Sequence, residues 1–233
     1  MKKLLLLLAI ATLFSLPSFA QWSVGGSVGL VCDRPFLNQD KYDYYYYSGG
    51  IGYLDLSVNY QVDLSVLRQL NDRWSVVSGF SFQQRGYKMT TSNHCSIIAN
   101  GVSSIKYDDR YISLPIITEF SFVKKQRYEV FIDAGVYIAI WCNSTRKSSV
   151  LPLLGDRIVV IDKKEFDKDI DSRFECGLIG GVGYKHHFGT KWTGMVAARY
   201  QYALTKQNKV PQTLDFLDRN NAFVFQLGFL YNL

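Results

Sequence analysis

An all-β fold, specifically an antiparallel transmembrane β-barrel of about eight strands with short turns at one end and long loops at the other, is what this sequence predicts. Three observations predict it. The chain opens with an export-type segment, its hydrophobicity alternates with a period of two over most of its length, and short and long connections alternate from end to end.

The opening residues are Met1-Lys2-Lys3, a predominantly apolar run over 4–16, and Pro17-Ser18-Phe19-Ala20. A basic start, a short apolar stretch and a small-x-small ending make a secretory signal peptide. The run is too short to span a bilayer, which takes about 20 apolar residues. Residues 1–20 are therefore expected to be cleaved, leaving Gln21 at the mature N-terminus and 21–233 as one barrel domain in the cell outer membrane. The composition agrees: 16 Tyr, 15 Phe, 4 Trp and 18 Gly against 5 Pro suit a barrel girdled by aromatic belts. The net charge of +6 includes Lys2 and Lys3 and the rest is scattered, so no nucleic-acid partner is expected. Cys32, Cys95, Cys142 and Cys176 contain no C-x-x-C pair and so lack zinc spacing; four in so long a chain form no disulfide framework.

Successive strand side chains point to opposite faces. From Leu54 to Leu64 the apolar positions Leu54, Leu56, Val58, Tyr60, Val62 and Leu64 alternate with Asp55, Ser57, Asn59, Gln61 and Asp63. Before them, Trp22, Val24, Val28 and Leu30 alternate with Ser23, Gly25, Ser27 and Gly29. After them come Trp74, Val76, Phe80 and Phe82 against Ser75, Ser81, Gln83 and Arg85, then Ile112, Leu114, Ile116, Phe120 and Phe122 against Tyr111, Ser113 and Glu119. Tyr128, Val130, Ile132, Val136, Ile138 and Ile140 oppose Glu129 and Asp133, while Phe174, Leu178, Val182 and Tyr184 oppose Arg173, Glu175 and Lys185. Trp192, Val196 and Tyr200 oppose Thr193, Arg199 and Gln201, and the last strand sets Phe223, Phe225, Leu227, Phe229 and Tyr231 against Gln226, Gly228 and Asn232. Val77, Ile117, Phe131, Ile179 and Met195 fall on the polar face and break the pattern.

The connections 68–73, 123–127 and 187–191 are short; those over 32–49, 89–105, 143–172 and 205–220 are longer and polar. An outer-membrane barrel has short periplasmic turns and long outer loops, with both termini on the periplasmic side. A soluble lipocalin-like barrel also alternates, with its apolar face inward, and a β-sandwich has shorter strands. Long strands, aromatics near the ends of the greasy face and a polar face rich in glycine and charge favour the membrane.

Several segments resemble the PorT-like outer-membrane β-barrel family. Tyr111-Ile112-Ser113-Leu114-Pro115-Ile116-Ile117 is similar to its Y-x-x-[IL]-P-[IL]-L strand, and Phe131-Ile132-Asp133-Ala134-Gly135-Val136-Tyr137 to its P-Y-x-x-A-G-x-Y strand. The stretch from Gly177 through Gly181 and Gly183 to Tyr184 resembles its G-x-x-x-G-x-G strand, and Arg199-Tyr200-Gln201-Tyr202-Ala203-Leu204 its R-Y-x-x-G-L, with Ala203 in place of glycine. The resemblance implies an outer-membrane location. One founding member is tied to protein secretion and attachment of cargo at the cell surface.

The candidate site residues follow from the polar face. Asp55, Asp63, Arg85, Glu119, Glu129, Asp133, Arg173, Glu175, Lys185 and Arg199 would form a paired charge network in the lumen, because buried charges need partners and an eight-strand barrel has room only for its side chains. An ion or proton path is the alternative. Tyr42, Tyr44, Tyr45, Tyr46 and Tyr47 form either a partner-binding loop or an aromatic belt. Residues 162–171 form a charged cluster that would hold a divalent ion or lipopolysaccharide phosphates or, since it departs from EF-hand spacing, be a solvated loop, and Leu151-Pro152-Leu153-Leu154 form an apolar patch. A hydrolase would need a nucleophile, a base and an orienting acid together. His94 has Ser92 and Ser96 near it, while His186 and His187, adjacent on a strand, would diverge. The reading is a non-enzymatic outer-membrane scaffold, assembly partner or surface-binding protein, with no cofactor and no metal. Its expected partners are outer-membrane lipid and envelope or secretion proteins, not a small-molecule substrate. The alternatives are a barrel enzyme acting on lipid or peptide and a soluble periplasmic ligand-binding barrel.

Overall fold

The computed structural model describes residues 21–33, 36–37, 51–55, 57–92, 102–151, 158–164, 172–205, 217–219 and 221–233, and structural statements here are made of these. The strands are β1 (Trp22–Asp33), β2 (Phe36–Leu37), β3 (Ile51–Asp55), β4 (Ser57–Gln69), β5 (Trp74–Ser92), β6 (Val102–Lys124), β7 (Tyr128–Leu151), β8 (Ile158–Lys164), β9 (Phe174–Phe188), β10 (Trp192–Ala203), β11 (Leu217–Arg219) and β12 (Ala222–Asn232). β1, β4, β5, β6, β7, β9, β10 and β12 pair in that order, all antiparallel, and β12 returns to β1 to close an eight-stranded barrel. Closure removes the sheet edges that a membrane would leave unsatisfied.

Alternation fixes which face is inside. On β4, Ser57, Asn59 and Gln61 are buried while Val58, Tyr60, Val62 and Leu64 stand outward, and Leu64 is 69% exposed. Phe80, Val182, Val196 and Leu227 are likewise more than half exposed. A continuous apolar band thus faces outward around a polar interior, the reverse of a soluble lipocalin-like barrel. Aromatic pairs edge the band. Trp74–Phe120 (4.8 Å), Trp192–Tyr231 (5.1 Å) and Tyr128–Tyr184 (6.2 Å) lie toward one end, Tyr60–Phe82 (6.2 Å) and Tyr200–Phe223 (4.7 Å) toward the other.

The first of those ends carries the short turns. Asn71 folds the β4–β5 turn by accepting the amides of Arg73 and Trp74 through Oδ1, each at 2.9 Å. Gly189 turns β9 into β10 at φ +74°, a conformation costly for residues with a Cβ. The start of β1 and the residue after β12 meet here too: the Leu233 amide donates to the Trp22 carbonyl at 2.9 Å.

The opposite end is uneven. β6 and β7 run 23 and 24 residues, about twice the 12 of β1 and β10, and with β5, β8 and β3 they raise one side of the wall well above the rim. Three irregularities interrupt these strands, one of them a β6–β7 register shift between Ser121 and Val123 near the turns. A bulge at Cys142 shifts the β6–β7 register between Arg110 and Tyr111. Lower down, the β5–β6 ladder runs to Ser78↔Ile116 and resumes at Ser81↔Ser113, skipping Gly79 and Phe80 opposite Pro115 and Leu114. Pro115 has no amide hydrogen to give, and its carbonyl is taken instead by the Ser78 hydroxyl at 2.9 Å.

The band predicts a depth-dependent penalty. Leu64→Arg, midway along β4 and outward, is expected to destabilise the barrel by about 2–4 kcal/mol, as a cation near the bilayer midplane does. Equilibrium refolding into lipid vesicles at a series of urea concentrations measures it, and a cost near zero would argue against Leu64 facing lipid.

Candidate functional site

The interior is filled by side chains in three connected groups. Nearest the turns, Glu129 accepts from the Ser121 hydroxyl, and Lys185 pairs with Glu119 while lying 3.8 Å from Glu129. In the middle, Arg199 donates from Nε to Asp133 at 2.7 Å and from Nη1 to Gln226. The Arg199 guanidinium also lies 3.7 Å from Glu119, which joins the first two groups. Gln226 donates in turn to Asp63 at 2.7 Å, and Asp63 also accepts from Ser27 and Gln61. Toward the loops, the fully buried Arg85 donates to Glu175 at 2.7 Å and to Gln83 and Gln201. Tyr137 donates to the same Glu175 at 2.8 Å, and the rings of Tyr111 and Tyr137 flank the Arg85 guanidinium at 5.7 and 5.4 Å. Asp33 accepts from Asn59 at 2.6 Å and from the Gly86 amide at 2.9 Å, at the same level.

Eight of the ten sequence-derived network residues come together in this way: Asp63, Arg85, Glu119, Glu129, Asp133, Glu175, Lys185 and Arg199. Arg173 does not. It is exposed, one residue before β9 begins, and its carbonyl accepts the Trp141 amide at 2.9 Å. Asp55 lies on β3. β3 pairs with β5 one residue out of step with β4, so position 55 falls in register with Lys88 and off the row of Asp63. Its side chain lies outside the described set, as do Tyr42, Tyr44, Tyr45, Tyr46, Tyr47, His94, residues 1–20 and 165–171.

The five apolar residues that broke the alternation are the rest of the filling. Ile117, Val77 and Ile179 join Leu67, Tyr111, Tyr137, Trp141 and Leu230 in one buried cluster. Phe131 and Met195 form another with Ala197. Glycines on β9 make room for the largest of these groups. Phe131 lies opposite Gly183, Tyr137 opposite Gly177 and Arg199 opposite Gly181. A Cβ at any of the three would run into that ring or guanidinium stem. One cavity of about 40 Å³, enough for a few waters, is bordered by Gln61, Gln83, Ile117, Glu119 and Arg199.

Gln83, Gln201, Gln226, Tyr137 and Asp33 were missed as network members. The glutamines sit on the polar parity but carry no charge, and Tyr137 shares the parity of Asp133. Asp33 ends β1, where alternation gives the least guidance. His186 and His187 diverge: His186 meets the Tyr184 hydroxyl at 3.1 Å on the outer face, and His187 meets Thr193 Oγ1 at 3.0 Å inside the rim. Cys32, Cys142 and Cys176 are free thiols.

With a closed barrel, an outward apolar band and a filled lumen established, the chain can be set beside known proteins. The family described as outer membrane protein beta-barrel domain matches residues 19–207. The chain belongs to that family. No curated protein matches it. Among solved structures, this outer-membrane barrel is similar to Neisserial surface protein A, at 10% identity and a TM-score of 0.51 over 93% of this chain and 100% of that one. It is also similar to Ail, the attachment invasion locus protein of Yersinia pestis, at 15% identity and 0.44 over 92% and 99%. A third is OprG of Pseudomonas aeruginosa, at 13% identity and 0.46 over 92% and 96%. At such identities the likeness is one of fold. In an outer-membrane barrel the short-turn end is periplasmic and the tall wall faces outward from the cell.

Proposed function

We propose that this barrel is a non-enzymatic scaffold, assembly partner or surface-binding protein of the outer membrane, exported by cleavage near Ala20 and acting through its outer loops. The filled lumen carries this reading. Salt-bridged layers and apolar clusters pack the lumen among the described residues, which supports a barrel without a solute path along its axis. Specificity then falls to the loops, which a rigid barrel positions. The resemblance to PorT-like barrels supports envelope or secretion proteins as partners, and the lipid-facing band supplies contact with membrane lipid.

Planar-bilayer recording tests the filled lumen. The reconstituted protein is expected to give no stable open level, and a large steady conductance would contradict the proposal. The loop reading has its own check. Replacing Tyr44, Tyr45, Tyr46 and Tyr47 with serine is expected to leave heat-modifiable gel migration intact and to weaken recovery of envelope partners after cross-linking. Unchanged recovery would remove those tyrosines from recognition.

A further inference from the structure

The tall wall has two faces, and register sorts their side chains. Tyr87 stacks on Tyr107 at 4.9 Å and Arg146 lies 5.9 Å from the Tyr107 ring, all on the parity that lower down faces the lumen. The other parity continues the lipid-facing band upward. There Lys88, Lys106 and Lys147 stand directly opposite one another on β5, β6 and β7. Lys163 on β8 joins the same face opposite Thr145, and Arg110 on β6 lies four positions below Lys106; both are exposed. Asp108 holds Lys106 at 2.9 Å and Lys147 at 3.8 Å. Like charges directly opposite across strands are destabilising, so the row has a cost that a bound anion would offset.

Its height identifies the anion. The unbroken outward apolar run ends on β6 at Ile112, followed by Arg110, Asp108 and Lys106, and on β5 at Phe82, followed by Gln84, Gly86 and Lys88. Lys106 and Lys88 each lie six positions beyond, which at about 3.3 Å per residue and a strand tilt near 40° is roughly 15 Å above the apolar band. Arg110 lies roughly 5 Å above it on the same measure. That interval is the polar layer of the outer leaflet. We propose that Arg110, Lys106, Lys147 and Lys163, with Lys88 at the edge, form a binding site for the phosphate groups of an outer-leaflet glycolipid. Asp108 acts as a positioning residue that holds two lysine ammonium groups at the face. The chemistry is that of a basic surface at an anionic membrane, where each Lys or Arg adds to binding. This site rests on the outer-membrane reading, which membrane fractionation tests independently.

The test uses the full mature chain in detergent micelles, titrated with bisphosphorylated lipid A and with the same lipid stripped of phosphate, and read by native mass spectrometry. The wild type is expected to retain the phosphorylated lipid and release the stripped one, with retention falling as salt rises. Combined Lys106→Gln, Lys147→Gln and Lys163→Gln is expected to weaken retention on the order of tenfold to a hundredfold. Lys124→Gln, Lys125→Gln and Lys191→Gln at the periplasmic end should leave it unchanged, and the arginine versions of the three outer lysines should preserve it. Equal retention of the two lipids, or full retention by the glutamine variant, would overturn the site. Inorganic phosphate displacing the lipid at submillimolar concentration would make it a free-phosphate site and overturn the glycolipid assignment. Should the glutamine variant not fold, the stripped-lipid comparison on wild type still decides.

Discussion

Arg85→Met is expected to destabilise the barrel by about 3–5 kcal/mol, the usual cost of leaving one partner of a buried ion pair alone. Arg85 is 1% exposed and gathers Glu175, Gln83 and Gln201 around one guanidinium between two tyrosine rings. Methionine fills much of its volume but removes its charge and every donor. The Glu175 carboxylate, 6% exposed, then loses its guanidinium partner while the Tyr137 hydroxyl still donates to it. The double variant Arg85→Met with Glu175→Gln removes both charges and is expected to regain most of the loss. The urea midpoint of the folded, heat-modifiable band in micelles measures both. A single variant within about 0.5 kcal/mol of wild type would show that the pair contributes little, as exposed pairs do.

Phe131→Ala should cost a similar amount by a different route, about 3–5 kcal/mol for truncating a buried aromatic ring. The ring is fully buried, covers the bare backbone of Gly183 and lies 4.6 Å from the Lys185 ammonium. Its removal opens a void beside Met195 and Ala197. Gly183→Val should also destabilise by itself, by about 1–3 kcal/mol, because the new side chain meets the ring. Combined, the two changes are expected to cost clearly less than their sum, since valine then occupies the vacated space. Strict additivity in the same unfolding assay would mean that ring and glycine do not share one site.

The barrel was legible in the sequence because a period of two is enforced wherever one face meets lipid and the other a packed interior. Val58, Leu64, Phe80 and Leu227 each fall where alternation puts them. The same rule misleads where the strand stops or slips. Arg173 keeps its parity but precedes β9, and a one-residue change of register removes position 55 from the Asp63 row. Val77, Ile117, Phe131, Ile179 and Met195 read as errors because alternation ranks faces by polarity. A narrow lumen, though, must be filled before it is made polar, and rings do that where glycine faces them. The glycine positions 177, 181 and 183 were visible as a motif, but their partners Tyr137, Arg199 and Phe131 follow only from register. Register also aligns Lys88, Lys106 and Lys147, which lie 18 and 41 positions apart along the chain and show no cluster there.

The skipped pairs opposite Leu114 and Pro115 bear on the mechanics of the whole ring. A closed sheet deforms where its ladder is thinnest, and here two consecutive positions are tied only through the Ser78 hydroxyl. Gly79 leans instead against the backbone of Leu64 and Ser65 on β4. The β5–β6 seam is therefore expected to open along this line more readily than the continuous β7–β9 or β1–β12 ladders. Amides bordering that line exchange with solvent deuterium ahead of those elsewhere in the band, because opening there breaks fewer bonds.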